Sequence, residues 1–231
     1  MTNISLSVFF PCFNEKDNIQ TLITTADNYL SGISNDYEII IVDDGSSDGT
    51  YEEAIKLSET VPTLRVVQHE ANRGYGAALR TGFDTAQKDF IFFTDGDNQF
   101  DISEISKFLP YIADYDIVAG FRIKRNDNLI RWLNSRSFQL LVQVLFGLQI
   151  KDMNCAFKIF KKHIIKESPL KSTGAMINAE LLIRAMKKGA SMKEIGVNHY
   201  PRQWGSQTGA NITVIIRAFK ELFSLRSELN Q

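Results

Sequence analysis

The chain has 231 residues, of which 44% are hydrophobic and 23% charged, and its formal net charge is −1. That length suits one domain with a substantial core, and that balance leaves no basic footprint for nucleic acid. Two cysteines, Cys12 and Cys155, lie too far apart for a zinc spacing and read as buried thiols in a reducing compartment.

In chain order, Leu6–Phe10 reads as a first strand ended by Pro11, which cannot donate to a ladder. Asn14 offers an N-cap, and Glu15–Leu30 carries Ile19, Leu22, Ile23, Ala26 and Leu30 on one helical face. Tyr37–Val42 is a second strand running into Asp43-Asp44-Gly45-Ser46-Ser47-Asp48-Gly49-Thr50, a tight turn with a helix start behind it. Leu64–Gln68 is a third strand, and Asn72-Arg73-Gly74-Tyr75-Gly76 opens a helix to about Ala86. Phe90-Ile91-Phe92-Phe93 is a fourth strand, buried on both faces. Ile102–Ile112 reads as helix and Asp116–Ala119 as a fifth strand. Such alternation predicts an α/β fold: a mostly parallel sheet with helices on both faces.

The fourth strand stops on Asp95-Gly96-Asp97. Residues two apart in extended chain point the same way, so the two carboxylates converge. At about 4 Å they repel by roughly 4 kcal/mol at an effective dielectric of 20. A divalent cation removes that cost, and hard oxygen ligands suit Mg2+ or Mn2+. Gln99 offers an amide oxygen to the same region. Ligands of such sheets sit outside the carboxyl ends of the strands, so Glu15, Asp43, Asp44, Gly74, Asp95 and Asp97 gather on one rim.

The second half begins with a basic segment, Gly120–Arg136, holding Arg122, Lys124, Arg125, Arg131 and Arg136 against Asp127. It reads either as a solvated face or as a counter-charge for a diphosphate and an anionic acceptor. Leu129–Gly147 is a helix with an apolar end, set for core packing or lipid contact. Asp152–Lys158 leads into a short strand through Phe160, Asn178–Lys188 is helical and Ser191–Val197 strand-like. Residues 201–209 form a polar, glycine-bearing loop of the kind that orders around a ligand. Ile212–Leu229 closes the sequence as an amphipathic helix. No run of 18 apolar residues exists and no signal peptide is evident, so a cytoplasmic protein is expected. His69, His163 and His199 show no ligand spacing and read as structural or surface residues.

The order Phe10-Pro11-Cys12-Phe13-Asn14-Glu15, Val42 to Thr50, Asn72 to Gly76 and Asp95-Gly96-Asp97 resembles family 2 glycosyltransferases of the GT-A fold. Gly120-Phe121-Arg122, Arg131 with Ser135, Asp152 to Phe157, and Arg202 with Gly205-Ser206 resemble its dolichyl-phosphate mannose synthase and polyprenyl-phosphate branch. The resemblance covers almost the whole chain: 1–119 as nucleotide-sugar half, 120–211 as acceptor half and 212–231 as terminal helix. It implies that Pro11, Phe13, Glu15, Asp43, Asp44 and Gly74 hold the nucleotide of a UDP- or GDP-sugar. Asp95, Asp97 and Gln99 would organise Mg2+ or Mn2+ and the diphosphate. Arg122, Arg131 and Arg202 would neutralise phosphates, with Ser135 beside them and Asp152 on the acceptor side. The acceptor implied is a lipid phosphate; a glycan or protein hydroxyl, or a non-catalytic subunit, are the alternatives. Asp152 would position a phosphate or deprotonate a hydroxyl. The family's Ser-Gly-Phe stands here as Cys155-Ala156-Phe157, and Gln207 replaces its loop lysine. Many relatives carry membrane helices after this domain, so a separate membrane subunit or peripheral docking at the cytoplasmic membrane face is expected.

Overall fold

The computed structural model describes residues 4–124, 129–202, 204 and 212–229. Seven strands form one sheet in the order β3-β2-β1-β4-β6-β5-β7. They are β1 Ser5–Cys12, β2 Asp36–Asp43, β3 Leu64–Gln68, β4 Phe90–Thr94, β5 Ile117–Arg122, β6 Phe157–Lys161 and β7 Met192–Val197. All pairings are parallel except those of β6, which runs antiparallel to both β4 and β5. The mostly parallel sheet is therefore as expected, and β6 makes it mixed.

Helices cover both faces because the strands are apolar on both. Alternation splits them cleanly. Phe9, Ile40, Val42, Ile91 and Phe93 face one core, shared with the helices α3 Tyr75–Thr85, α4 Leu129–Phe146, α6 Ile177–Lys187 and α7 Ile212–Leu229. Val8, Phe10, Ile39, Ile41 and Phe92 face the other, under α1 Lys16–Ile33 and α2 Thr50–Ser58. Helix α5 is the short Lys162–Glu167. On the first face the rings of Phe9, Phe83, Phe93 and Phe160 pack at centroid distances of 4.9–6.2 Å, in the stacked and edge-on arrangements aromatic pairs favour.

Three local expectations need correction. Pro11 does not end β1, which runs on to Cys12. The ladder to β4 stops at Phe9, so Pro11 lies where β1 has a neighbour on one side only. Asn14 does not cap α1; it sits at φ 56° and bonds instead to the loop after β2, its N–H donating to Ser46 Oγ and its side-chain oxygen accepting from Ser47 N. Residues 102–112 form two 3-10 segments, Ile102–Lys107 and Leu109–Tyr111, instead of one α-helix.

Candidate active site

The carboxyl ends of β1, β2, β4 and β5 open on one rim, and antiparallel β6 brings its first residue, with residues 152–156 before it, to the same place. Asp43 ends β2 and is fully buried. Its Oδ2 accepts from Gln68 Nε2 at 3.3 Å and Ser46 N at 3.4 Å, while its Oδ1 is buried with no hydrogen-bond partner. Asp44 is fully engaged. Its oxygens accept from Arg73 N and Gly74 N, both at 2.9 Å, and Oδ1 meets His69 Nδ1 at 2.6 Å. The other His69 nitrogen meets Thr81 Oγ1 at 2.9 Å. Asp44 thus braces the 72–74 turn, where Gly74 takes φ 93° and a Cβ would come within 2.7 Å of Thr173 O. His69 is structural, as expected.

Beyond β4 the chain turns tightly. A Cβ on Gly96 would lie 2.5 Å from Cys12 Sγ, so only glycine lets this acidic turn close against β1. Asn98, at φ 55°, donates to Asn18 O and Oδ1 at 3.2 Å and pins the turn to α1. Asp97 Oδ1 accepts from Gln99 N at 3.1 Å. Asp95 Oδ1 accepts from the Tyr75 hydroxyl at 2.8 Å. Burial, then the Asp97 charge beside it, pushes the Asp95 carboxyl up to about 7. Burial likewise raises Asp97, and it raises Glu15, where Arg202 opposes it.

Arg202 answers these acids. Its Nη2 bonds Glu15 Oε1, and its Nη1 lies 3.6 Å from Asp97 Oδ2. Asn18 Nδ2 holds the other Glu15 oxygen at 2.6 Å. Gln99 is held in place through its amide nitrogen. That nitrogen donates to Tyr200 O at 2.9 Å, and Tyr200 N donates to Gln99 O at 2.8 Å. Gln99 thereby anchors the segment that carries Arg202. Phe13, two residues before Glu15, is 42% exposed, and Pro11 is buried.

On the acceptor side, Arg122 and Asp152 form a buried bidentate pair, Nε to Oδ2 at 2.7 Å and Nη2 to Oδ1 at 2.9 Å. Asp152 is therefore matched to a cation, and Arg122 spends its fork on a carboxylate. Lys158, 1% exposed on β6, donates to Cys155 O and to Met153 O at 3.1 Å. Burial lowers its ammonium, while Asp152 and Asp95 are among the charges that oppose this. Burial also drives the Cys155 thiol up to about 12, so it stays protonated. The side chains of Arg131 and Ser135, and Gly205, Ser206 and Gln207, lie outside the described residues.

Sequence reasoning passed over Lys158 and Tyr75 as agents. Lys158 is a charged residue flanked on β6 by the fully buried Phe157 and Ile159-Phe160, which was the available signal. Nothing local marks Tyr75; its partner comes from another element.

The donor set fits a divalent cation. Two half-buried carboxylates, both raised by desolvation, feel each other's charge just past the end of the strand, with Arg202 lying against Asp97. Among the described residues no group of three His, Cys, Asp or Glu side chains is spaced for a metal. Mg2+ needs no such cage, because one or two carboxylates plus substrate phosphates commonly hold it.

These features belong to a known class. A family model described as Glycosyl transferase family 2 matches residues 7–173, and the chain belongs to that family. Among its relatives, the dodecaprenyl-phosphate galacturonate synthase of Rhizobium johnstonii is 29% identical over 97% of this chain and 68% of that protein. The undecaprenyl-phosphate 4-deoxy-4-formamido-L-arabinose transferase of Aeromonas hydrophila is 33% identical over 71% of this chain and 51% of that protein. The chain therefore spans half to two-thirds of the length of these curated relatives. The solved mannosyl-3-phosphoglycerate synthase of Rubrobacter xylanophilus superposes with a TM-score of 0.78 at 15% identity, over 99% of this chain and 76% of that one. The glucosyl-3-phosphoglycerate synthase of Mycobacterium tuberculosis, solved with Mn2+, UDP and phosphoglyceric acid, gives 0.74 at 18% identity, over 96% and 78%. These two establish the GT-A fold for the chain.

Proposed function

We propose that this chain transfers a sugar from a nucleoside-diphosphate sugar to a polyprenyl phosphate, with inversion at the anomeric carbon. The observation that carries the reading is the half-buried Asp95–Asp97 pair at the rim, with Arg202 against Asp97. Asp95 and Asp97 would hold Mg2+ or Mn2+, which would stabilise charge growing on the leaving diphosphate. Glu15, Asp43 and the turn that Asp44 braces would hold the nucleoside, and Arg202 would face the phosphates once they enter. Relatives named for dodecaprenyl and undecaprenyl phosphate support the lipid acceptor.

One feature favours a phosphate acceptor over a hydroxyl. A hydroxyl must lose its proton to a base, and the carboxylate nominated for that, Asp152, has both oxygens on Arg122. A phosphate arrives ionised and needs no base, so Asp152 would only hold Arg122 in place. The test is turnover of UDP- and GDP-sugars with undecaprenyl phosphate against matched hydroxyl acceptors. Transfer to the phosphate, abolished in Asp97→Ala even with excess metal, is the expected outcome. Turnover surviving in Asp97→Ala would remove the metal from the scheme, and preference for a hydroxyl acceptor would remove the lipid phosphate.

A further inference from the structure

Asp95 has two oxygens, and the fold treats them differently. Oδ1 accepts the Tyr75 hydroxyl at 2.8 Å, and among the described residues no hydrogen bond reaches Oδ2. Tyr75 is well placed for this. It is the first residue of α3, directly after Gly74, whose N–H is held by Asp44 Oδ2 at 2.9 Å. The next N–H, that of Gly76, donates to Thr173 O at 2.9 Å. The backbone on either side of Tyr75 is thus fixed by hydrogen bonds. A phenol is protonated at neutral pH and is therefore a donor here.

We propose that Tyr75 is a positioning residue that reserves one oxygen of Asp95, leaves the other for the cation, and so biases the site toward a small, strictly octahedral ion. The proposal rests on the reading of Asp95 and Asp97 as metal ligands. A carboxylate with one oxygen engaged by a hydroxyl offers the other singly. Single-oxygen ligation suits Mg2+, which demands near-ideal octahedral geometry, whereas Ca2+ accepts bidentate carboxylates and more ligands. Removing the hydroxyl frees Asp95 to chelate and to rotate.

The experiment compares Tyr75→Phe with the parent chain by calorimetric titration of Mg2+ and of Ca2+, in the presence of UDP and, separately, of GDP. The expected result is a change of about fivefold in the ratio of the two affinities toward Ca2+, the size one hydrogen bond supports. Nucleotide binding in EDTA should stay unchanged, because the hydroxyl that is lost bonds Asp95 and none of Glu15, Asp43 or Asp44. An unaltered ratio in a variant that melts like the parent overturns the proposal. Should Tyr75→Phe fold poorly, Tyr75→Met removes the same hydroxyl and should move the ratio in the same direction; no movement there is equally fatal. Failure of the underlying metal reading shows up elsewhere, as a parent chain that binds neither ion with either nucleotide.

Discussion

At the scale of single residues, the acidic turn owes its position to an absent atom. Gly96 packs so tightly on Cys12 that a methyl group would fall 2.5 Å from its sulfur and 3.2 Å from Pro11 O. Gly96→Ala should therefore push the turn off β1, cost about 1–3 kcal/mol as overpacking does, and weaken metal binding by displacing Asp95 and Asp97. Cys12→Ala removes the clashing sulfur and should recover much of both losses in the double variant. Thermal melts and metal titrations of the four chains measure this; strictly additive losses would show that the clash is not the cause. Cys12 itself is an unreactive thiol, held protonated by burial and then by the Glu15 charge.

At the scale of elements, α4 and α7 pack side by side. Phe138 meets Phe219 at a centroid distance of 5.9 Å, and Arg226 lies over Phe146, so the two helices run parallel. Both leave apolar residues outside: Leu140 and Val144, one turn apart on α4, are 62% and 72% exposed, and Phe223 on α7 is 54% exposed. Among the described residues no helix is long and apolar enough to cross a membrane. A chain that takes a lipid acceptor must still reach the bilayer, and side chains of this kind are each worth about 1.5–3 kcal/mol when buried. Leu140→Glu with Val144→Glu should cut co-sedimentation with phosphatidylglycerol vesicles by about tenfold or more while the melting temperature holds. Equal sedimentation would place the membrane contact elsewhere. The apolar tail of α4 was visible in the sequence; which of its residues face outward was not, since that depends on how α7 packs. The same divide holds in the site. Strand patterning placed Asp43, Asp95 and Asp97 at one rim, because each stands at or just past the carboxyl end of a continuous apolar run. It could not show that Asp44 is consumed by His69 and two amides, that Gln99 holds Tyr200, or that Arg122 and Asp152 close on each other. Those pairings join residues 25 to 101 positions apart, and spacing along a chain carries no information about them.

At the scale of the whole molecule, the rim concentrates negative charge that the fold tolerates at some cost. An unfolded aspartate titrates near about 3.9, and Asp95 is held up to about 7 in the folded chain. Between those values the folded form binds more protons than the unfolded one, so stability falls as pH rises through that window and levels off above it. Melting temperature in EDTA should decline from pH 4 toward pH 7 by more in the parent than in Asp95→Asn. Added Mn2+ should restore more at pH 8 than at pH 5, because protons no longer compete for the carboxylates. A parent and Asp95→Asn pair with superimposable profiles would dismiss this account. Asp43 carries a different consequence. Its sequestered Oδ1 has a lone pair and no hydrogen to receive, which is expensive unless a visitor supplies one. Uracil and guanine present a ring N–H on their pairing edge, while adenine and cytosine present a bare nitrogen at the equivalent position. Should a nucleotide open the end of β2 enough to reach this acceptor, a base that carries the ring hydrogen would be favoured over one that lacks it.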